Sequence, residues 1–437
     1  GMNPDNSLTN PENSFDLFAK CDSTDGTFGE LRKAGDDYFT RPTLSAVPGT
    51  RMEFKGRPVV MWSVNNYIGL AGNREVQAAA RDALDAYSVS APMGSRMMSG
   101  TTQMHLAFEE ELADFAQKEA AIVFNYGYMG VTGTIDSLVG PEDTVIIDKL
   151  SHACIVDGAQ GSKGRLLVFR HNNMDSLETA LKRANKDRKG GILICAEGTY
   201  GMTGDIADLR GICELKEKYG ARLYVDDAHG CGVFGEEGRG VADHLGVQDR
   251  VDVYFGTFAK AFASIGGFSA GPKSVVEWVR YNARTQVFAK SLPLIYVQSL
   301  RKTLELLRGA DERRARMWEI SRLLKEGLRD LGFLVGPGDA PLCAVYVPDS
   351  EGNVIAMQTI RFLRERGVFV SGVAYPVIPR GLLMYRMIPT ADHTEEDVAF
   401  TIEAFRALRD ESGVNLDLDA DAMQKFSSLY RYTAAAV

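Results

Sequence analysis

The chain reads as an α/β protein, with a large unit on a mostly parallel central sheet followed by a smaller α+β unit. Three observations predict this. Short apolar runs alternate with amphipathic helical stretches from about residue 75 to 309, the pattern of crossover units. Two of those runs break at polar clusters, Asp226-Asp227-Ala228-His229 and Gly256-Thr257-Phe258-Ala259-Lys260. After about Gly309 the text changes to a long charged helix, short strands and two further helices. A chain of 437 residues exceeds the usual single domain. We expect an N-terminal arm and strand segment over 1–74, a large domain over 75–309 and a small C-terminal domain over 310–437.

Taken in order, residues 1–30 are polar and aperiodic, the text of an arm that is mobile or wraps a partner. Arg51–Val64 predicts two strands joined by a Lys55-Gly56 turn. Helices fit Glu75–Tyr87 and Met104–Gln117, and Ala121–Phe124 is a short strand. Buried strands follow at Thr144–Asp148, Arg165–Arg170, Ile192–Glu197, Arg222–Asp226 and Val251–Phe255. Helices at Ser176–Asn185 and Ile206–Tyr219 lie between them. Further on, Arg313–Leu331 is a long helix, and Val354–Arg366 and Thr394–Arg409 are amphipathic. Cys343–Val347, Val368–Val370 and Leu383–Met387 are strands, while Gly413–Val437 fits neither period. No internal repeat or low-complexity tract occurs.

Hydrophobic residues make up 45% and charged residues 24%, as in an ordinary soluble enzyme. A formal net charge of -9 argues against a general nucleic-acid binder and against an anionic-membrane binder. It leaves room for a local basic pocket. Six cysteines are scattered without CxxC pairing. That points to a reducing, cytoplasmic setting rather than to disulfides or a zinc site; we expect no metal. Neither an apolar run of transmembrane length nor a signal-peptide pattern is present.

In an open α/β sheet the C-terminal ends of strands face the ligand crevice. Asp226, His229, Thr257 and Lys260 therefore bring a carboxylate, an imidazole, a hydroxyl and an amine to one cleft. Those groups suit pyridoxal 5'-phosphate (PLP): an acid for the ring nitrogen, an amine for the aldehyde, donors for the phosphate. Asp226 would keep the ring nitrogen protonated; the alternative is a strand-end cap on the next helix. Burial behind an apolar strand would lower the pKa of Lys260 and free its amine for imine formation. Asn125-Tyr126-Gly127-Tyr128 follows a strand and opens a helix, where backbone N–H groups bind phosphate and Gly127 permits close approach. His152 could stack on a planar ring, or be an ordinary packed histidine. Arg386 sits in an apolar strand and needs an anionic partner, either a substrate carboxylate or a protein carboxylate.

Eight segments in order resemble the α-oxoamine synthases, a branch of the fold-type I PLP-dependent transferases. They are NNYIGLAG (65–72), GSRMMSGT (94–101), DKLSHACIVDG (148–158), EGTYGMTGDIADL (197–209), VDDAHGCGVFGEEGRG (225–240), GTFAKAFASIGGF (256–268), FAKSLP (288–293) and RMIPTADHTEED (386–397). Glycine C-acetyltransferase and serine palmitoyltransferase are the nearest in look. The resemblance implies that Lys260 holds PLP and moves protons, with Asp226 at the pyridine nitrogen and His229 at the phenolic oxygen. His152 would stack on the ring, and Gly127, Tyr128 and Thr257 would take the phosphate. Asn65 and Arg386 would grip the amino-acid carboxylate. Ser291 falls where a partner subunit reaches the phosphate, which implies a homodimer with shared active sites.

The implied reaction joins a small amino acid, glycine or L-serine, to an acyl-CoA or acyl-carrier protein with loss of CO2, giving an α-aminoketone. Gly201 stands where the family usually has Ser, Thr203 where it has an acid, and Lys290 where it has a small polar residue. Ala259, Ser88 and Ser90 also depart from its usual residues. Rival readings are another PLP reaction, of aminotransferase or aldolase type, and a non-catalytic partner subunit, which would be expected to lack the lysine.

Overall fold

The apolar runs TVIID, ILICAE, RLYVD and VYFGT are buried along nearly their whole length, as strands covered on both faces must be. In the computed structural model, which describes residues 15–35 and 38–430, they form the middle of a seven-stranded sheet. Its order is Ala120–Phe124, Gly267–Gly271, Val253–Thr257, Arg222–Asp226, Ile192–Glu197, Thr144–Asp148, Arg165–Phe169. Only Gly267–Gly271 runs antiparallel to its neighbours; the other pairings are parallel. From Thr144–Asp148 the chain steps outward to the edge strand Arg165–Phe169. It then returns to Ile192–Glu197 on the other side. That reversal opens a crevice at the strand ends Asp148 and Glu197, the usual ligand position in such sheets.

Helix starts carry the expected caps. Asn73, Asn173 and Asp208 accept from N–H groups of the helices Arg74–Tyr87, Met174–Asn185 and Leu209–Tyr219. Thr394 and Asp397 form a capping box on Glu395–Glu411.

A second sheet of four antiparallel strands holds Leu334–Val335, Cys343–Pro348, Leu382–Met387 and Ser371–Val373. A third takes the hairpin Arg51–Phe54 and Arg57–Met61 and pairs it with Val368–Phe369 from the far end of the chain. The Val368–Val370 run is thus divided: at Val370 the chain leaves one sheet for the other.

Several expectations need correction. The expected strand Val251–Phe255 lies at Val253–Thr257, because Val251 N–H closes a turn on the Gln248 carbonyl. The helix expected from Ile206 starts at Leu209, where Asp208 caps it. Gly267–Gly271 was not foreseen as a strand. Gly267 is demanded by Phe255, whose ring would lie 2.6 Å from a Cβ there, and Gly271 by the Asp252 carbonyl at 2.9 Å. Of the expected N-terminal arm, residues 1–14 lie outside the described residues; Gly29–Ala34 is a short helix. Within the ambiguous Gly413–Val437, Ala420–Leu429 is a helix capped by Asp419.

Candidate active site

Asp226 ends its strand 3% exposed. One carboxylate oxygen accepts from Ala228 N–H at 3.2 Å; the other faces the weak Sγ donor of Cys154 at 3.7 Å. Burial raises its pKa, while His152 and Lys260 pull the other way. A carboxylate this buried and this poorly solvated favours a cationic neighbour.

Lys260 follows the strand Val253–Thr257 on a turn closed by Ala263 N–H on its carbonyl. Burial lowers its pKa, opposed by Asp226 and assisted by Arg386. No described carboxylate pairs with it, so the amine is partly desolvated and free to react.

Two imidazoles flank this pair. His152 caps the helix Ala153–Gly161: its Nδ1 accepts from Cys154 N–H at 3.1 Å, and its backbone N–H donates to Glu197 at 2.9 Å. His229 meets Tyr67 Oη at 3.0 Å through Nδ1. Burial lowers the pKa of both rings, that of His229 strongly, with Lys260 adding to it. Both are neutral at pH 7 and present one donor and one acceptor.

The opposite wall is the loop Thr199–Asp205. Arg386 Nε, from the C-terminal sheet, donates to the Gly201 carbonyl at 2.8 Å. Burial lowers the pKa of this guanidinium, which has no carboxylate partner among the described residues. The protein salt bridge considered from sequence is therefore absent there, and Arg386 is left to an anionic ligand. Asn65, two residues before Tyr67, has a buried side-chain oxygen without a partner. A Cβ on Gly201 would lie 2.5 Å from His229 Nε2, so the ring fills the space that the family's usual serine would take.

At the sheet's other strand ends Gly127 opens the helix Gly127–Leu138. A Cβ there would come within 3.0 Å of Thr257 Oγ1. The bare helix start and the hydroxyl thus share one small cradle, suited to an anion. Together with the buried acid, the unpaired amine and the neutral imidazoles, that cradle fits PLP.

Two further expected residues have these surroundings. The Tyr128 phenol donates to Asp157, which leaves its backbone N–H at the helix start, the group expected to take a phosphate. Ser291 is buried with its hydroxyl unpartnered, beside Arg96, His105, Asn125 and Gln286. Sequence reading also passed over Tyr67, Cys154, Glu197, His171 and Asp205, because each acts through contacts distant along the chain. A groove of about 680 Å3 between the helices Arg74–Tyr87 and Leu294–Arg308 shares no residue with this site.

The family model for aminotransferase class I and II matches residues 57–405. A cysteate-C-fatty acyltransferase of Capnocytophaga ochracea is 41% identical over 95% of this chain and 100% of its own. An 8-amino-7-oxononanoate synthase of Symbiobacterium thermophilum is 40% identical over 88% of this chain and 96% of its own. Among solved structures, the serine palmitoyltransferase of Sphingomonas wittichii superposes with a TM-score of 0.83 at 34% identity, covering 91% of this chain and 99% of that one. A serine palmitoyltransferase from S. paucimobilis with bound PLP-myriocin aldimine gives 0.84 at 33%, covering 92% and 100%. The chain belongs to the aminotransferase class I and II family, in its α-oxoamine synthase branch, and is a PLP-dependent C-acyltransferase.

Proposed function

We propose that this enzyme condenses a small amino acid with a fatty acyl thioester, releasing CO2 and the thiol and leaving an α-aminoketone. The observation that carries the reading is the convergence of one unpaired lysine, one buried acid, two neutral imidazoles and one unpaired arginine on a single crevice. PLP, when bound, supplies an electron-accepting ring for the pair of electrons released at the amino acid's α-carbon.

The chain's own groups do the rest. Lys260 would hold the aldehyde, and its amine, once free, would take the α-proton. Asp226 would keep a proton on the ring nitrogen, and His229, fixed by Tyr67, would serve the phenolic oxygen. His152 would pack on the ring and pass a proton to the thioester carbonyl oxygen. Thr257 with the N–H groups of Gly127 and Tyr128 would receive the phosphate. Arg386 and Asn65 would orient the amino-acid carboxylate.

Cysteate leads glycine and L-serine as the amino acid. Support comes from the cysteate-C-fatty acyltransferase, which this chain matches over that protein's whole length. Gly201, bare where the family has a serine, supports a substrate preference away from glycine and serine. A homodimer is supported by apolar side chains beside the Ser291 loop: Met93, Met98, Val89 and Phe288 are all largely exposed. Among the described residues no helix is long and apolar enough to cross a membrane. Five buried, unpaired cysteines support a cytoplasmic setting.

The test incubates the holoenzyme with cysteate, glycine or L-serine against acetyl-, medium- and long-chain acyl-CoA, reading free CoA. Thiol release with cysteate and a long chain is expected. A flat response with CoA donors but turnover of an acyl-carrier protein would change the donor only. Keto-acid formation without thiol release would replace the reading with aminotransferase chemistry.

A further inference from the structure

His171 lies just past the edge strand Arg165–Phe169, 5% exposed, and touches neither Lys260 nor Asp226. Both of its ring nitrogens face carboxylates. Nδ1 is 2.9 Å from Asp148 Oδ1, and Nε2 is 2.5 Å from Asp205 Oδ2. Asp148 accepts in addition from the N–H groups of Leu150 and Asn172 and from the Tyr200 hydroxyl. Asp205 accepts from the Thr203 hydroxyl. Each oxygen of Asp148 thus already accepts from a backbone N–H, the arrangement of an ionised carboxylate. A ring nitrogen without hydrogen would turn its lone pair on a carboxylate oxygen. With both carboxyl groups ionised, the two bonds are satisfied together only when the ring carries a proton on each nitrogen.

The two carboxylates belong to different walls of the crevice. Asp148 closes the turn that leads to His152, through Leu150 N–H and through Ser151 on its carbonyl. Asp205 holds the base of the loop that presents Gly201, where its carbonyl receives Tyr200 N–H; Gly201 in turn docks Arg386.

We propose that His171 is a positioning residue: a permanent imidazolium that ties the turn carrying His152 to the loop carrying Gly201, and so fixes the spacing of the substrate crevice. The titratable groups facing it are Asp148 from the neighbouring strand and Asp205 and Tyr200 from the loop, with Glu197 beyond them. Burial works against the charged ring, and the bonds to Asp148 and Asp205 outweigh it, raising its pKa to about 10.

The test is made on holoenzyme labelled with 15N-histidine. Of six histidines, one should remain an imidazolium at about pH 8.5, some two units above the ordinary value, and its signals should vanish in His171→Gln. The same variant should retain the visible cofactor band and the thioester KM, while the KM for the amino acid rises about fivefold or more. No imidazolium at that pH, one that persists in the variant, or an unchanged amino-acid KM would overturn the proposal. Should His171→Gln not fold, Asp205→Asn serves instead. It should lower the pH at which His171 titrates and raise the same KM; parental values of both would be equally fatal. The kinetic arm rests on the acyltransferase reading. If no acyl donor is turned over, amino-acid affinity read from the cofactor band replaces KM, and the NMR arm stands independently of either.

Discussion

The two walls of the crevice are built differently. One wall is made of strand ends: Asp226, Thr257 and Lys260 stand where short buried strands stop, each placed by a handful of neighbouring residues. The other is the irregular loop Thr199–Asp205, held by contacts from far along the chain. Arg386 takes the Gly201 carbonyl, Tyr430 donates to the Thr203 carbonyl at 2.9 Å, and Ala340 N–H bonds the Gly204 carbonyl. In the proposed reading the first wall offers what a cofactor needs, and the second shapes the space left for the substrate. Chemistry would then be local in sequence, and selectivity assembled at long range.

That contrast can be broken by substitution. On the cofactor wall, Lys260→Ala should lower turnover by about 10,000-fold, the upper end of what one acid–base group supplies, and abolish the visible band. Activity that survives would remove Lys260 from the catalytic machinery. On the substrate wall, Arg386→Lys should leave the band intact and raise the amino-acid KM by about 30-fold, near 2 kcal/mol for a lost charge-assisted fork. A fall in kcat alone would place Arg386 elsewhere. Gly201→Ser forces a hydroxymethyl group against His229 and should cost about 1–3 kcal/mol of overpacking. Its signature is a changed ratio of kcat/KM among cysteate, serine and glycine, and an unchanged ratio would show that the loop does not select.

Two buried histidines sharpen the contrast in opposite directions. His393 stacks on Trp62 at 3.8 Å and donates to the Met61 carbonyl. Burial lowers its pKa from 6.5 to about 4. The unfolded chain takes up that proton first, so this contribution is complete above pH 6.5 and is lost as pH falls towards about 4. His171, raised from 6.5 to about 10, stabilises the fold below pH 6.5 and loses that contribution as pH rises towards about 10. Thermal melts across pH should therefore fall on both sides; His393→Gln should flatten only the acid limb and His171→Gln only the alkaline one. The smallest effect is expected for Tyr430→Phe, about 1 kcal/mol for one buried hydrogen bond, read as a small shift in Tm and amino-acid KM. A drop in cofactor affinity instead would mean that the walls are not separable.

Much of the first wall was legible in the sequence. A buried parallel strand is a continuous apolar run, and its end is a polar residue, so Asp226 and Lys260 announce themselves. The second wall has no such grammar. Nothing around His171 tells that Asp148 and Asp205 will close on it, and Tyr430 lies in a stretch whose periodicity decided nothing. Gly267–Gly271 escaped notice because Phe255 and its neighbours require small side chains, which weaken any strand signal. Arg386 was legible as a buried cation in want of an anion. That its Nε is already committed to a carbonyl is a fact of tertiary packing.

The tether from Tyr430 to the Thr203 carbonyl carries a consequence for biosynthesis. That tyrosine stands 227 residues after the carbonyl it supports, so the ribosome must make nearly all of the large sheet and the second sheet before this support can form. A prematurely terminated or proteolytically clipped polypeptide would therefore retain most of the apparatus for B6 chemistry while lacking one strut of substrate discrimination.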